Sequence, residues 1–477
     1  MHPVMAVMFG LAPMFFIQNI NNVIMNNLKF IATFKQSFLK ETLFKNKSII
    51  TFAILLCSML IISCKKDNNT PTQKDTTLKI SSLSKTTLHY GDTLIIKGSN
   101  FSATALNNTV TINGVAAIVQ LASEIELKVI VPAVGANTGE VKVKTGSQTA
   151  TGGNIVYIPD VFVAGTQNNA AYSLATYWKN GVADTLSREE SALTSIFITG
   201  NDIYAAGYER ISNLQLANYW KNGTKTTLGT GASVANAISV NGSDVYVGGF
   251  EIISGFDLPR YWKNGIGTTV NVNDFVLPSV VTGNGSCTGI YVNANNVYAV
   301  GSYRNSQGRF SPWEFTNGAL PANSIPNNDK HSFANAVFVS GNDVYVAGNQ
   351  NNAISGLAMA TIWKNGGATT LTEGTSSVGV ATAVFVVGSD VYVAGYEQEN
   401  YYGGGPTFAK YWKNGVPVKL STASSAATGI AVFDNDVYVS GWENNGTYSV
   451  AKYWKNGVPV NIGSAVLNSS GNAIIVR

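Results

Sequence analysis

Ala383-Val384-Phe385-Val386-Val387-Gly388-Ser389-Asp390-Val391-Tyr392-Val393-Ala394-Gly395 and, after an interruption, Ala409-Lys410-Tyr411-Trp412-Lys413-Asn414-Gly415-Val416-Pro417-Val418-Lys419-Leu420 decide the fold of this 477-residue chain. The first stretch is two alternating apolar runs on either side of a Gly-Ser-Asp turn, which reads as two strands. The second repeats that arrangement around Asn414-Gly415, a pair suited to a type I′ hairpin because both central residues need positive φ. Pro417 has no N–H to give a neighbour, so its strand belongs at a sheet edge. Four strands and two tight turns make one antiparallel sheet.

The unit recurs seven times between residues 160 and 477. Its first landmark begins at Asp160, Asp202, Asp244, Asn296, Asp343, Asp390 and Asp436. Its second carries Trp178, Trp220, Trp262, Trp313, Trp363, Trp412 and Trp454, at intervals of 42, 42, 51, 50, 49 and 42 residues, the period of four-stranded propeller blades. The first copy lacks its first strand, and the chain ends in Asn472-Ala473-Ile474-Ile475-Val476, which supplies it. Closure of this kind removes the exposed edges of an open array. The expected fold is therefore all-β, a closed seven-bladed β-propeller over residues 160–477, with the Tyr and Trp series packing between blades. The architecture resembles that of Kelch and related propellers, although their doubled-glycine signature is lacking in most copies and Gly248-Gly249 is a lone match to it at the end of the first landmark.

Residues 78–158 read differently. Gly91-Asp92-Thr93-Leu94-Ile95-Ile96-Lys97-Gly98-Ser99-Asn100-Phe101 runs turn, strand, turn, aromatic; Val110-Thr111-Ile112-Asn113-Gly114 leads a strand into a hairpin; Leu127–Pro132 and Gly139–Val143 follow. The succession resembles the TIG (IPT) immunoglobulin-like domain. That resemblance implies a small β-sandwich of a kind that often serves extracellular chains as a spacer or as a protein or glycan interaction module.

Ahead of it, Ile49–Ile62 is a run of apolar and small residues behind Lys40, Lys45 and Lys47, the pattern of an export signal. Ile61-Ile62-Ser63-Cys64 resembles the lipobox of bacterial lipoproteins, which implies cleavage before Cys64 and lipidation of its thiol. Residues 1–63 are thus expected to be an export signal with an over-extended start, Met25 being a later candidate, and residues 64–77 a lipidated flexible linker. Lys65-Lys66-Asp67 loosely resembles signals that send lipoproteins to the outer face of the outer membrane. The expected location is the outer membrane, lipid-anchored at the cell surface, with the membrane as a partner through Cys64.

Removing the five Lys and one Glu of residues 1–63 from the chain's 31 basic and 27 acidic residues leaves 26 of each, a neutral mature chain for which nucleic acid is not an expected partner. Of three cysteines only Cys287 belongs to the folded part, and it reads as a small buried apolar residue.

Candidate sites are few. The loops between second and third strands share a face with those leading into the next blade, and that face and the channel mouth are the first place to look for a ligand. Four copies read as opening the variable loop with an aromatic and a glutamate: Tyr208-Glu209, Phe250-Glu251, Tyr396-Glu397 and Trp442-Glu443. These glutamates, with Tyr208, Tyr396 and Trp442, are candidates to bind a sugar or cation. Three of them come with Arg260, Lys410 or Lys452 before the Tyr-Trp pair, where copies without the glutamate carry Thr176, Ser311 or Thr361, which points instead to cross-strand ion pairs. Glu209, facing Asn218, lacks that explanation.

Histidine is nearly absent, so a Ser-His-Asp triad would have to use His331, and no metal site, calcium loop or cofactor is expected. The leading expectation is a lipid-anchored surface binding or adhesion protein, without catalysis, whose loop face recognises a protein or glycan. The alternatives are a carbohydrate-active enzyme, glycosidase or lyase, with a carboxylate pair at the channel mouth, and a purely structural envelope component.

Overall fold

The alternating runs of each copy form antiparallel sheets whose strands follow one another in chain order from the ring centre outward. The computed structural model describes residues 75–477 apart from 271–283, 294–295, 306–307, 318–324, 327–330 and 373–376. The expected export segment, Cys64 and the linker up to residue 74 lie outside the described residues, as do most of the loop 271–287 and the expected outer strand of the fourth copy. Numbering blades by copy, blade 2 has strands Ser191–Thr199, Asp202–Ile211, Leu214–Lys221 and Thr224–Thr227. Blade 1 takes its innermost strand from the chain end: Ser469–Val476 pairs antiparallel with Val161–Asn168, and Asp160 and Arg477 exchange backbone hydrogen bonds of 2.8 and 3.1 Å. The ring is closed as the repeat count requires.

The two landmarks of the repeat are halves of one device. In the six described hairpins between third and fourth strands the Asn has positive φ, as at Asn414 (51°), followed by Gly415 (82°), and Asn317 at the end of blade 4's third strand shares it. The Asn amide then reaches back to the first landmark. Its Nδ2 donates at 2.7–2.9 Å to Asp160, Asp202, Asp244, Asn296, Asp343, Asp390 or Asp436. Its Oδ1 accepts the next backbone N–H at 2.8–2.9 Å. In six blades the repeat's Lys also bridges the Asp at 2.7–3.0 Å while lying over the ring of Phe162 or the equivalent Tyr. Blade 4 has lost both ends of that pair, which are Asn296 and Thr316.

A second device closes the ring at its centre. Every inner strand carries a β-bulge whose extra residue is Thr194, Asn236, Thr288, Asn335, Thr382, Thr428 or Asn472. Each of these side chains donates to a backbone carbonyl of the next blade, at 2.6–3.0 Å: Ala235, Cys287, Ala334, Ala381, Ala427, Gly471 and finally Leu193. Each acceptor directly precedes the next donor in sequence, so the links run once round the ring. The bulge presses a carbonyl against the second strand, and a Cβ on Gly395 would lie 2.0 Å from Val380 O. Only glycine fits there; the last residue of the Asp-Val-Tyr-Val-Ala-Gly landmark is a consequence of the bulge.

Between blades the tryptophans pack as expected. Trp178 lies against Tyr438 and Tyr453 of blade 7, Trp262 against Tyr204 and Tyr219 of blade 2, and Trp412 against Tyr345 of blade 5. Blade 4 corrects the sequence alignment. Ala299 pairs with Phe315, as Val247 pairs with Trp262, while Trp313 pairs with Gly301. Phe315 therefore fills the repeat's tryptophan position, and Trp313 rather than Ser311 stands where Arg260 does in blade 3.

Residues 76–477 form one compact unit. In its sandwich part the strands Lys79–Leu83, Thr93–Ser99, Glu126–Ile130, Val115–Ala122, Asn108–Ile112, Thr138–Thr145, Gln148–Tyr157 and Thr87–Leu88 are neighbours in that order. Leu94, Ile96, Val110, Leu127, Val129 and Val141 fill its core, and Asn113-Gly114 makes the expected hairpin at φ 50° and 78°. The sandwich seats on the tight-turn face of blades 7 and 1. Tyr157 stacks on Phe433 at 5.8 Å, Asn137 donates to Asp434 and Asp436, His89 meets Asp160 at 3.2 Å, and the Arg477 guanidinium covers Tyr90 at 4.4 Å.

Candidate functional site

The four glutamates do not stand in loops. Strands Asp202–Ile211, Asp244–Ile253, Asp390–Gln398 and Asp436–Asn444 run through them, so a carboxylate and the preceding aromatic point to opposite faces of a sheet. Tyr208, Tyr396 and Trp442 are not gathered with Glu209, Glu397 and Glu443 into a common site. Glu209, Glu251 and Glu397 are buried and Glu443 is half-buried. Each is neutralised from within.

Arg260 Nη2 lies 3.0 Å from Glu251, while Lys410 and Lys452 hold Glu397 and Glu443. The register is diagonal: Lys410 is opposite Gly395, and the missing side chain there lets its ammonium reach Glu397 two residues on. Glu209, unexplained by sequence, is held by Lys225 of the outer strand and accepts from Ser187 Oγ at 2.5 Å. Burial pulls the Glu251 carboxyl upward, but the N–H groups of Thr230 and Gly231 and the Arg260 charge outweigh it and leave it below its ordinary value. Burial likewise opposes, and Lys452 and Ser421 overcome, in Glu443. Carboxylates spent this way act as struts.

The pairs make a prediction. Lys410→Met should cost about 3 kcal/mol in urea unfolding because Glu397 is left buried and alone, and Lys410→Met with Glu397→Leu should restore most of it. A single mutant as stable as the parent would return Glu397 to the list of free carboxylates.

Cys287 is fully buried and its thiol is pushed up to about 12 by burial, against two backbone hydrogen bonds, which makes it inert. His331 accepts from Phe310 N at 3.3 Å, and His89 belongs to the junction with the sandwich. Among the described residues no group of three His, Cys, Asp or Glu is placed to hold a metal.

Two concave features stand out among the described residues. The central channel, about 350 Å³, is lined toward the tight-turn face by Tyr291, Phe338 and Phe385, whose ring centroids are 5.1 and 5.0 Å apart in succession. A larger cleft of about 810 Å³ opens between blades 3 and 4, where Tyr246, Tyr261 and Phe315 meet Lys263, Thr268 and Asn317. Phe315 lines it at the position where the other blades carry an indole, and a phenyl ring takes up less of the interface than an indole does. Lys263 is fixed at 2.7 Å by Asp244 and covers one face of Tyr246 at 5.2 Å. Aromatic rings with hydroxyl, amide and ammonium groups at the rim suit a polyhydroxylated ligand. The signal that could have found this cleft was the departure of Trp313-Glu314-Phe315-Thr316-Asn317-Gly318 from Tyr-Trp-Lys-Asn-Gly.

Glu314 is the other oddity of blade 4. It occupies the place of Tyr261 in blade 3, on the strand face away from the cleft, and is 2% exposed. Burial alone pushes its carboxyl up to about 7.

No helix among the described residues is long and apolar enough to cross a membrane. Residues 78–157 match the family profile of the IPT/TIG domain. No curated protein matches the chain. Among solved structures, a structural genomics protein of unknown function from Bacteroides thetaiotaomicron VPI-5482 is similar at 13% identity over 80% of this chain and 99% of that one, with a TM-score of 0.44. An auxiliary nutrient binding protein from the same organism has 11% identity over 81% and 86%, TM-score 0.27. The β-propeller domain of the Trilobed protease from Pyrococcus furiosus has 10% identity over 72% and 97%, TM-score 0.35.

Proposed function

We propose that the chain is a lipid-anchored outer-membrane protein, tethered at the cell surface through Cys64, whose propeller binds a glycan without transforming it. The observation that carries the reading is the cleft between blades 3 and 4: its aromatic walls, with hydroxyl and amide groups and the ion-paired Lys263 at the rim, have the chemistry of sugar recognition. The recurrent glutamates, which a hydrolase would need free and paired, are each engaged by a lysine or arginine. The test is titration of the full lipoprotein in detergent micelles with a panel of oligosaccharides, alongside Phe315→Trp, which restores the indole of the other blades. Binding weakened at least about tenfold in the variant, with an unchanged or raised unfolding midpoint, is expected, since a filled pocket excludes its ligand. Equal binding by both proteins sinks the cleft, and release of shortened sugars abolished by one Glu→Gln change would make the protein an enzyme.

A further inference from the structure

The sandwich has two poles. His89–Asp92, Asn137 and Tyr157 form the one that faces the propeller. At the other, Asn100 Nδ2 donates to Thr77 O at 2.8 Å, and Gln148 bridges Leu78 N and Thr76 O at 2.7 and 3.1 Å. The chain from Cys64 therefore enters the fold at the pole turned away from the propeller. That same pole is apolar. Leu106 is 95% exposed, Leu121 64% and Ile125 67%. The turn bearing Ile125 is tied beside Asn100, since Phe101 N donates to Glu124 O at 3.1 Å and Gly98 N to Ile125 O at 2.9 Å. The short turn Ala105–Asn107 carrying Leu106 packs on the strand Val115–Ala122. Three large aliphatic side chains gathered at one end of a small domain mark a surface meant to be covered.

We propose that this pole docks on a lipid bilayer, with Leu106, Leu121 and Ile125 entering the interface between headgroups and acyl chains. The proposal rests on the anchoring at Cys64. Thr76 is twelve positions beyond Cys64, a tether of about 40 Å when fully extended and roughly 20 Å as a flexible coil. The bilayer holding the lipid is thus always within reach of this pole, and a tethered surface needs little intrinsic affinity because its effective concentration is high. The side chains are aliphatic, which suits acyl chains. Lys97 and Lys128 are interspersed with Glu124 and Glu126, so attachment comes from apolar burial and is insensitive to salt and to anionic lipid. Docking would hold the sandwich upright and turn the far, loop face of the propeller outward.

The test uses the full lipoprotein in phosphatidylcholine vesicles with Glu124→Cys carrying a polarity-sensitive fluorophore; Cys287 is buried and Cys64 acylated, so the label has one site. Blue-shifted emission quenched by lipid-borne quenchers is expected, falling several-fold in Leu121→Glu with Ile125→Glu while the protein still floats with the vesicles and melts as before. Flotation with a label that stays in water overturns the docking and leaves the anchor intact. A chain that does not float overturns the anchoring and the docking together. Shielding that rises with protein concentration in the absence of vesicles assigns the pole to a second copy and overturns the lipid surface.

Discussion

Deleting Ser469–Arg477 is expected to abolish the propeller's cooperative unfolding or to lower its midpoint by at least about 10 °C, a loss of several kcal/mol for a domain of this size. The deletion strips the inner strand from Val161–Asn168 and exposes that edge. It removes Asn472, the donor to Leu193, and Gly471, the acceptor from Thr428, so two of the seven central links go together. It also takes Arg477 from Asp160 and from the ring of Tyr90, loosening the seat of the sandwich. Differential scanning calorimetry measures the effect, and adding the peptide Ser469–Arg477 in trans should recover part of the midpoint. A truncated chain that melts within about 2 °C of the parent would falsify the role given to the closing strand.

The second large effect is at Glu314. In an unfolded chain a glutamate releases its proton near 4.5, whereas the folded protein holds this one to about 7. Between those values the folded state binds more protons than the unfolded one, so stability falls as pH rises through the window, and the penalty is complete above about pH 7. Glu314→Gln should therefore stabilise the protein by about 3 kcal/mol at pH 8 and by almost nothing at pH 4. Urea midpoints of both proteins across pH measure the difference. An advantage that is the same at both pH values would mean that the carboxyl charge is already compensated in the fold.

Blade count and closure were legible because each copy writes its turns in residues with few other uses: Asn-Gly at one hairpin, Gly and Asp at the other. The candidate site was less legible, for reasons that can be named. Gly395 looked like the end of a strand, so Tyr396-Glu397 looked like the start of a loop. The strand continues to Gln398, and the glycine answers to a carbonyl on the neighbouring strand that the local sequence does not contain. In blade 4 the tryptophan was a misleading anchor and Asn317 a sound one, because a positive φ of 52° tolerates few residues while an aromatic can move two places along the same sheet face. Co-variation among copies served well for Glu251 with Arg260. It would have served for Asp with Lys too, had the joint change to Asn296 and Thr316 been weighed. Glu209 escaped it because its partner, Lys225, lies two strands away across Asn218.

The chain of central links has one more consequence. Each copy contributes both a donor, the bulge residue, and an acceptor, the carbonyl just before it, and the two are adjacent in sequence. A copy is therefore a monomer of a cyclic polymer, bifunctional and self-complementary. Gain or loss of one whole unit would leave every remaining link with its partner, so ring size is set by the wedge shape of the blades and not by the chemistry that fastens them. The chain ends meet inside blade 1, and the junctions on its two sides, with blade 7 and with blade 2, carry the same kind of link as the others. A pull on any one blade therefore meets a circle of central links in which no joint is missing.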